Sequence, residues 1–131
     1  MIIEWTEELA VGEAEIDSQH RELIKQMSCL WESLARGAGQ EEITKVIGFL
    51  SDYVFIHFNY EENRMAAQNY PKLALHKEKH QQFFMKIEAL KEQLGKDGPS
   101  QQLAIRTLHT MFQWFLSHIQ RMDQEMVHFL K

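Results

Sequence analysis

Several things are scarce in this chain of 131 residues. Cys29 is the only cysteine. That excludes an internal disulfide and a cysteine-built zinc site, and it fits a reducing cytosol. No apolar run approaches the ~20 residues that span a bilayer, so membrane insertion is not expected. The first residues, Met1 to Glu8, have neither a basic nor an apolar region, so they do not read as a signal peptide. Basic residues are outnumbered and the net charge is −5, which argues against nucleic acid as a partner. No Gly-rich phosphate loop, nucleophile elbow or strand-like alternation occurs. Pro71 and Pro99 are the only prolines, and Gly37, Gly39, Gly95 and Gly98 fall near the same breaks.

Between those breaks the apolar residues repeat with helical spacing. The expected fold is all-α: an antiparallel up-down-up-down four-helix bundle with an N-terminal arm, in one domain covering 1–131. The arm spans 1–16, and the helices span about 18–36, 40–68, 71–94 and 99–129. Asp17 or Ser18 is the expected cap of the first helix, Pro71 the first position of the third, and Gly95 its end. Phe83, Phe84 and Phe129 lie on the expected apolar stripes.

Seven ionisable residues share those buried stripes: His20, His57, Glu61, His76, His80, His118 and Asp123. His57 and Glu61 are spaced i, i+4, as are His76 and His80, which places each pair on one helix face. A lone histidine on such a face is usually a hydrogen-bonded core residue, and Glu61 could pair with Arg64 or a neighbouring lysine. Seven together are different. Buried ionisable groups are costly unless paired or bound to metal. Five nitrogens and two carboxylates exceed the needs of one ion and suit two metals side by side. In an up-down bundle, the start of helix one, the end of two, the start of three and the end of four share one end. The seven residues lie near those termini, within about 15 Å of that end.

Other metal motifs fit poorly. His76 and His80 have zincin spacing, but Lys77 replaces the glutamate base. The ferritin-type Glu-x-x-His pair occurs only as Glu125 to His128. Imidazole suits Fe, Zn, Cu or Ni, so the donor set does not choose the metal. His118 and Asp123 are spaced i, i+5, a turn of about 140° on an ideal helix. Either a local π-bulge brings them together, or each reaches a different part of a two-metal site.

Trp5, Val11-Gly12, Ile16-Asp-Ser-Gln-His20, His57-Phe-Asn-Tyr-Glu61-Glu-Asn-Arg-Met65, Tyr70-Pro71, His76-Lys-Glu-Lys-His80-Gln-Gln-Phe83 and His118-Ile-Gln-Arg-Met-Asp123 together resemble the hemerythrin family, especially its single-domain bacterial members. The resemblance covers almost the whole chain. It implies two non-haem iron ions, one held by His76, His80 and His118 and the other by His20 and His57. Glu61 and Asp123 would bridge them, with an oxo or hydroxo bridge between the ions. The two-His iron would keep an open position for dioxygen. Leu23, Phe58, Trp114, Phe115 and Ile119 resemble the apolar wall of the family's oxygen pocket. Phe115 stands where an aliphatic residue is common, so the family does not fix pocket volume or access here.

The resulting expectation is a cytoplasmic, non-enzymatic protein that binds dioxygen reversibly for carriage, storage or delivery. The alternatives are an oxygen or redox sensor acting through a separate partner, and a di-iron oxidase or nitric-oxide-processing enzyme. Iron storage is a poor fit for two ions per chain.

Overall fold

The computed structural model describes residues 4–130, so the first three residues of the expected arm lie outside the described part. After a short 3-10 turn at Glu7–Leu9, four helical rods follow: α1 (Ala14–Ala35), α2 (Gly39–Ala67), α3 (Leu73–Asp97), and a composite fourth rod. The fourth begins as α4 (Gln101–Trp114), passes without interruption into a π-helix at Phe115–Asp123, and ends as α5 (Gln124–Leu130). The fold is an all-α four-helix bundle. No strand occurs among the described residues, and no helix there is long and apolar enough to cross a membrane.

Cross-helix hydrogen bonds fix the antiparallel order. The start of α1 meets the end of α2 through Gln19 and His57, and the end of α2 meets the start of α3 through Glu62 and His80. At the opposite end, Gln101 Nε2 donates to Leu34 O while its Oε1 accepts from Gly39 N. Gly39 matters there: a Cβ would lie 2.8 Å from both Ala104 Cβ and Leu34 Cδ2, so α2 and α4 approach this closely only without one.

Several helix ends differ from the sequence expectation. Helix α1 begins at Ala14, inside the expected arm, because Glu13 is its cap and accepts from Ile16 N at 2.8 Å. Asp17 is already in the helix. Its carboxylate reaches back to Val11 N (2.8 Å) and Gly12 N (3.2 Å) and ties the arm to the bundle. Helix α3 begins at Leu73, two residues after Pro71, and runs past Gly95. Gly98, at φ 78°, ends it, since that left-handed geometry suits glycine. Ser100 caps α4, accepting from Leu103 N. Phe84 is 40% and Phe129 46% exposed, against expectation. Adjacent helical residues point about 100° apart, so Phe83 occupies the core and Phe84 does not. Met126 is buried as its place on the stripe predicts, but beyond the π-helix the helical phase is shifted and Val127 rather than Phe129 fills the core beside it.

The core has two apolar parts. A large cluster runs from Leu30, Ile43 and Leu103 up to Leu23, Phe58, Trp114 and Ile119. A smaller one joins Val11, Ile16, Met65, Tyr70, Met126 and Val127 at the other end. The seven ionisable residues form the layer associated with that end of the bundle.

Candidate metal centre

All four rods supply this layer. His20 comes from the start of α1, His57 and Glu61 from the end of α2, and His76 and His80 from the start of α3. The π-helix carries His118 and Asp123. Each of the seven is at most 2% exposed. The π-helix answers the spacing problem. Its i→i+5 hydrogen bonding brings residues five apart onto one face, and His118 Nε2 lies 3.1 Å from Asp123 Oδ1.

Both carboxylates divide their oxygens between two histidine groups. Glu61 Oε1 faces His80 Nε2 (3.2 Å) and His118 Nε2 (3.7 Å), while Oε2 faces His57 Nε2 at 3.1 Å. Asp123 Oδ1 faces His118, while Oδ2 faces His20 Nε2 (3.0 Å) and His57 Nε2 (3.7 Å). Two overlapping donor sets result: Glu61, His76, His80 and His118, and His20, His57, Glu61 and Asp123. Within each set the donor atoms lie within 4.8 Å of one another.

Hydrogen bonding alone does not account for this packing. His76 is buried with no partner at either ring nitrogen. His57 Nε2 and Glu61 Oε2 are within 3.1 Å yet lack hydrogen-bond geometry. His80 Nε2 and His118 Nε2 are 3.2 Å apart. Ligands around an octahedral ion with bonds of about 2.1 Å are separated by roughly 3 Å, so the spacing fits donors converging on ions. Among the described residues no lysine or arginine pairs with them: Arg64, the cation nearest Glu61 in sequence, pairs with Glu13 at 3.2 Å and with the Tyr60 hydroxyl. The residues present therefore fit a bound metal.

The electrostatics agree. Burial works to lower the His57 imidazolium, but Glu61 and Asp123 override it and hold its pKa up to about 10. Burial likewise opposes His118, and Asp123 and Glu61 hold it up to about 9. Burial and the neighbouring carboxylate push Glu61 upward, yet His57 and His118 bring it below the usual range. Asp123 is lowered for the same reason, by His118, His20 and His57 against its burial. His76, poorly compensated, is lowered chiefly by burial. Without a metal, His57 and His118 hold protons beside the two carboxylates. With one, those protons leave.

Three surrounding residues were not legible from the apolar stripes. Glu62 Oε2 accepts from His80 Nδ1 at 2.8 Å, and Gln19 Oε1 accepts from His57 Nδ1. Each bond turns the Nε2 of its imidazole inward, the usual way outer partners orient metal-binding histidines. The third, Tyr53, stacks on His57 with centroids 4.8 Å apart. The expected pocket residues are also close. Phe58 stacks on His80 and Trp114 on His118, each with centroids 3.9 Å apart. Leu23 and Ile119 are buried in the adjoining apolar cluster, and Phe115 is half-buried at its edge.

A helical bundle with two overlapping histidine–carboxylate donor sets defines a class: a metal-binding four-helix domain. A model of the hemerythrin HHE cation binding domain matches residues 11–130. The chain is 32% identical over 128 residues to a bacteriohemerythrin of Stenotrophomonas maltophilia, covering 94% of this chain and 78% of that protein. It is 29% identical over 129 residues to a bacteriohemerythrin of Clostridium acetobutylicum, covering 94% and 97%. A hemerythrin-like protein of Naegleria gruberi matches at 26% identity over 121 residues, covering 92% and 87%. The chain belongs to the hemerythrin family.

Proposed function

We propose that this protein holds two non-haem iron ions and binds dioxygen reversibly, as a carrier, store or donor within the cytoplasm. The observation that carries this reading is the division of both carboxylates. Each offers one oxygen to the His118 side and the other to the His57 side, the disposition expected of two bridges between neighbouring ions. His76, His80 and His118 would hold one ion, and His20 and His57 the other. When bound, the iron pair supplies an exchangeable coordination position and the electrons that dioxygen uptake uses.

The chain's own residues would do the rest. The two-histidine side has one nitrogen fewer, which leaves room for a small ligand there. Gln19 and Glu62 hold two imidazoles in the productive tautomer. Leu23, Phe58, Trp114 and Ile119 surround the layer with apolar surface, which excludes water, and Phe115 closes the edge of that wall. Binding fits better than catalysis, because donor residues at most 2% exposed admit a ligand of a few atoms and not a large substrate.

The test is anaerobic loading with ferrous iron, followed by metal analysis and spectroscopy in air. Two iron equivalents and an absorbance change that reverses under argon are expected. One equivalent or fewer would overturn the two-ion reading. Irreversible change with steady consumption of a reductant would replace carriage by enzymatic turnover.

A further inference from the structure

Tyr53 lies one helical turn before His57 and is 5% exposed. Its ring stacks on the His57 imidazole with an interplanar angle of 15°, and its hydroxyl has no hydrogen-bond partner. Trp114, whose ring stacks on His118, has an indole N–H that is also buried without an acceptor.

Two unpartnered donors on rings that stack on this histidine layer are unusual. Each costs the desolvation of a polar group with no hydrogen bond in return. Removing them would be easy in sequence terms, since phenylalanine preserves either stacking surface. Their position gives them a use. Tyr53 contacts His57, on the side of the centre that has fewer protein nitrogens. A surface groove of about 320 Å3 between α1 and α2, lined by Ser18, Gln19, Asp52 and Ile56, reaches both Tyr53 and His57. A small ligand entering there reaches Tyr53 and His57, and the tyrosine hydroxyl is buried close to the least saturated part of the donor set.

We propose that Tyr53 is a ligand-positioning residue whose hydroxyl donates a hydrogen bond to a small acceptor ligand held on the His20–His57 side. This rests on the di-iron reading above. The ligand class follows from the donors: a linear molecule of two or three atoms whose outer atom carries negative charge is favoured over an apolar gas of the same size. The wall described as apolar thus has one polar face, and that face selects.

The experiment uses the iron-loaded, oxidised protein with azide as the probe, in the native chain, in Tyr53→Phe and in Trp114→Phe. Metal analysis precedes azide. Tyr53→Phe is expected to weaken azide binding about tenfold, the loss of one hydrogen bond to a charged acceptor. The azide asymmetric stretch in the native protein is expected to shift in D2O, and that shift is expected to vanish in Tyr53→Phe. The metal-free variant is expected to melt no lower than the native chain, because the lost hydroxyl had no partner. An azide band insensitive to D2O in the native protein would overturn the proposal without any variant. Unchanged azide affinity in fully loaded Tyr53→Phe would overturn it too, while leaving the di-iron reading intact. Fewer than two irons in the native protein would overturn both, and that is seen before azide is added.

Discussion

Around Leu30, Ile43, Leu50, Leu90 and Leu103 the four helices meet through side chains with almost no polar atoms. Around His20, His57, Glu61, His76 and Asp123 they meet through side chains that carry little else. The same rods run through both regions, at similar burial. The apolar region is self-sufficient, because each contact there removes hydrocarbon from water. The ionisable region is not. It leaves buried nitrogens unpartnered and holds protons on imidazoles well above their usual range. One end of the bundle is built to fold, and the other is built to be completed by something that binds.

The largest expected effect separates the two ends directly. Leu50→Ala is expected to cost about 2–5 kcal/mol through a cavity and to leave metal content at the native level. Glu61→Ala is expected to cost a similar ~3–5 kcal/mol by stranding His57, His80 and His118 without their shared anion, but to lose both ions. Thermal melts with and without ferrous iron check this. Iron should raise the melting temperature of Leu50→Ala as it does the native chain, and should do little for Glu61→Ala. Equal stabilisation of both variants would dissolve the comparison.

A narrower break is available within the ionisable end. His20 faces Asp123 at 3.0 Å and belongs only to the donor set that includes His57. His20→Ala is expected to hold one iron equivalent where the native chain holds two, and to lose the reversible response to air. Normal stoichiometry would mean that His20 is not a ligand.

Acidity sharpens the contrast in the metal-free protein. In the folded chain His57 is held up to about 10 and His118 to about 9, against an ordinary value of 6.5. The folded state therefore binds protons that the unfolded state has released. That contribution is full below about pH 6.5 and is lost as pH rises through 9 and then 10. Glu61 and Asp123, lowered in the fold, add stability above about pH 4 that is lost in acid. His76, lowered by burial, opposes the other histidines below its ordinary range. Melts of the metal-free chain are expected to fall between pH 6.5 and 10. Iron affinity is expected to rise over the same interval, because metal must displace those protons. A melting temperature flat across that interval would show that the layer is not charged as described.

The bundle and most of the clustered residues could be read from the sequence because their spacing repeats the helical period. His57 with Glu61 and His76 with His80 announce their shared face by i, i+4 placement alone. His118 and Asp123 did not, since their spacing breaks the α period, and only the π-helix reconciles them. Phe129 was misplaced by that same local change of phase. Gln19 and Glu62 were hidden for a different reason. Each neighbours a ligand candidate in sequence and so points about 100° away on an α-helix, where a polar residue looks solvent-facing. Tyr53 sat beside Val54 on the apolar face, and nothing in a sequence shows that a buried hydroxyl lacks a partner.

The smallest expected effect concerns Phe115, at the border between the two regions. Sequence spacing places it one turn before His118 and makes it a wall of the pocket. In the fold it is half-buried at the edge of the apolar cluster, while Trp114 lies flat on the His118 ring, 14° from coplanar. Truncating a partly exposed ring removes less hydrocarbon from the core than truncating a fully packed one. Phe115→Ala is therefore expected to cost about 1–2 kcal/mol, less than a fully buried phenylalanine would. It is also expected to admit azide to the iron-loaded protein slightly faster than in the native chain, and more slowly than Trp114→Ala does. Stopped-flow azide binding well below each variant's melting temperature separates access from stability. Faster entry in Phe115→Ala than in Trp114→Ala would place the route at the start of the π-helix and move the border of the site outward to Phe115.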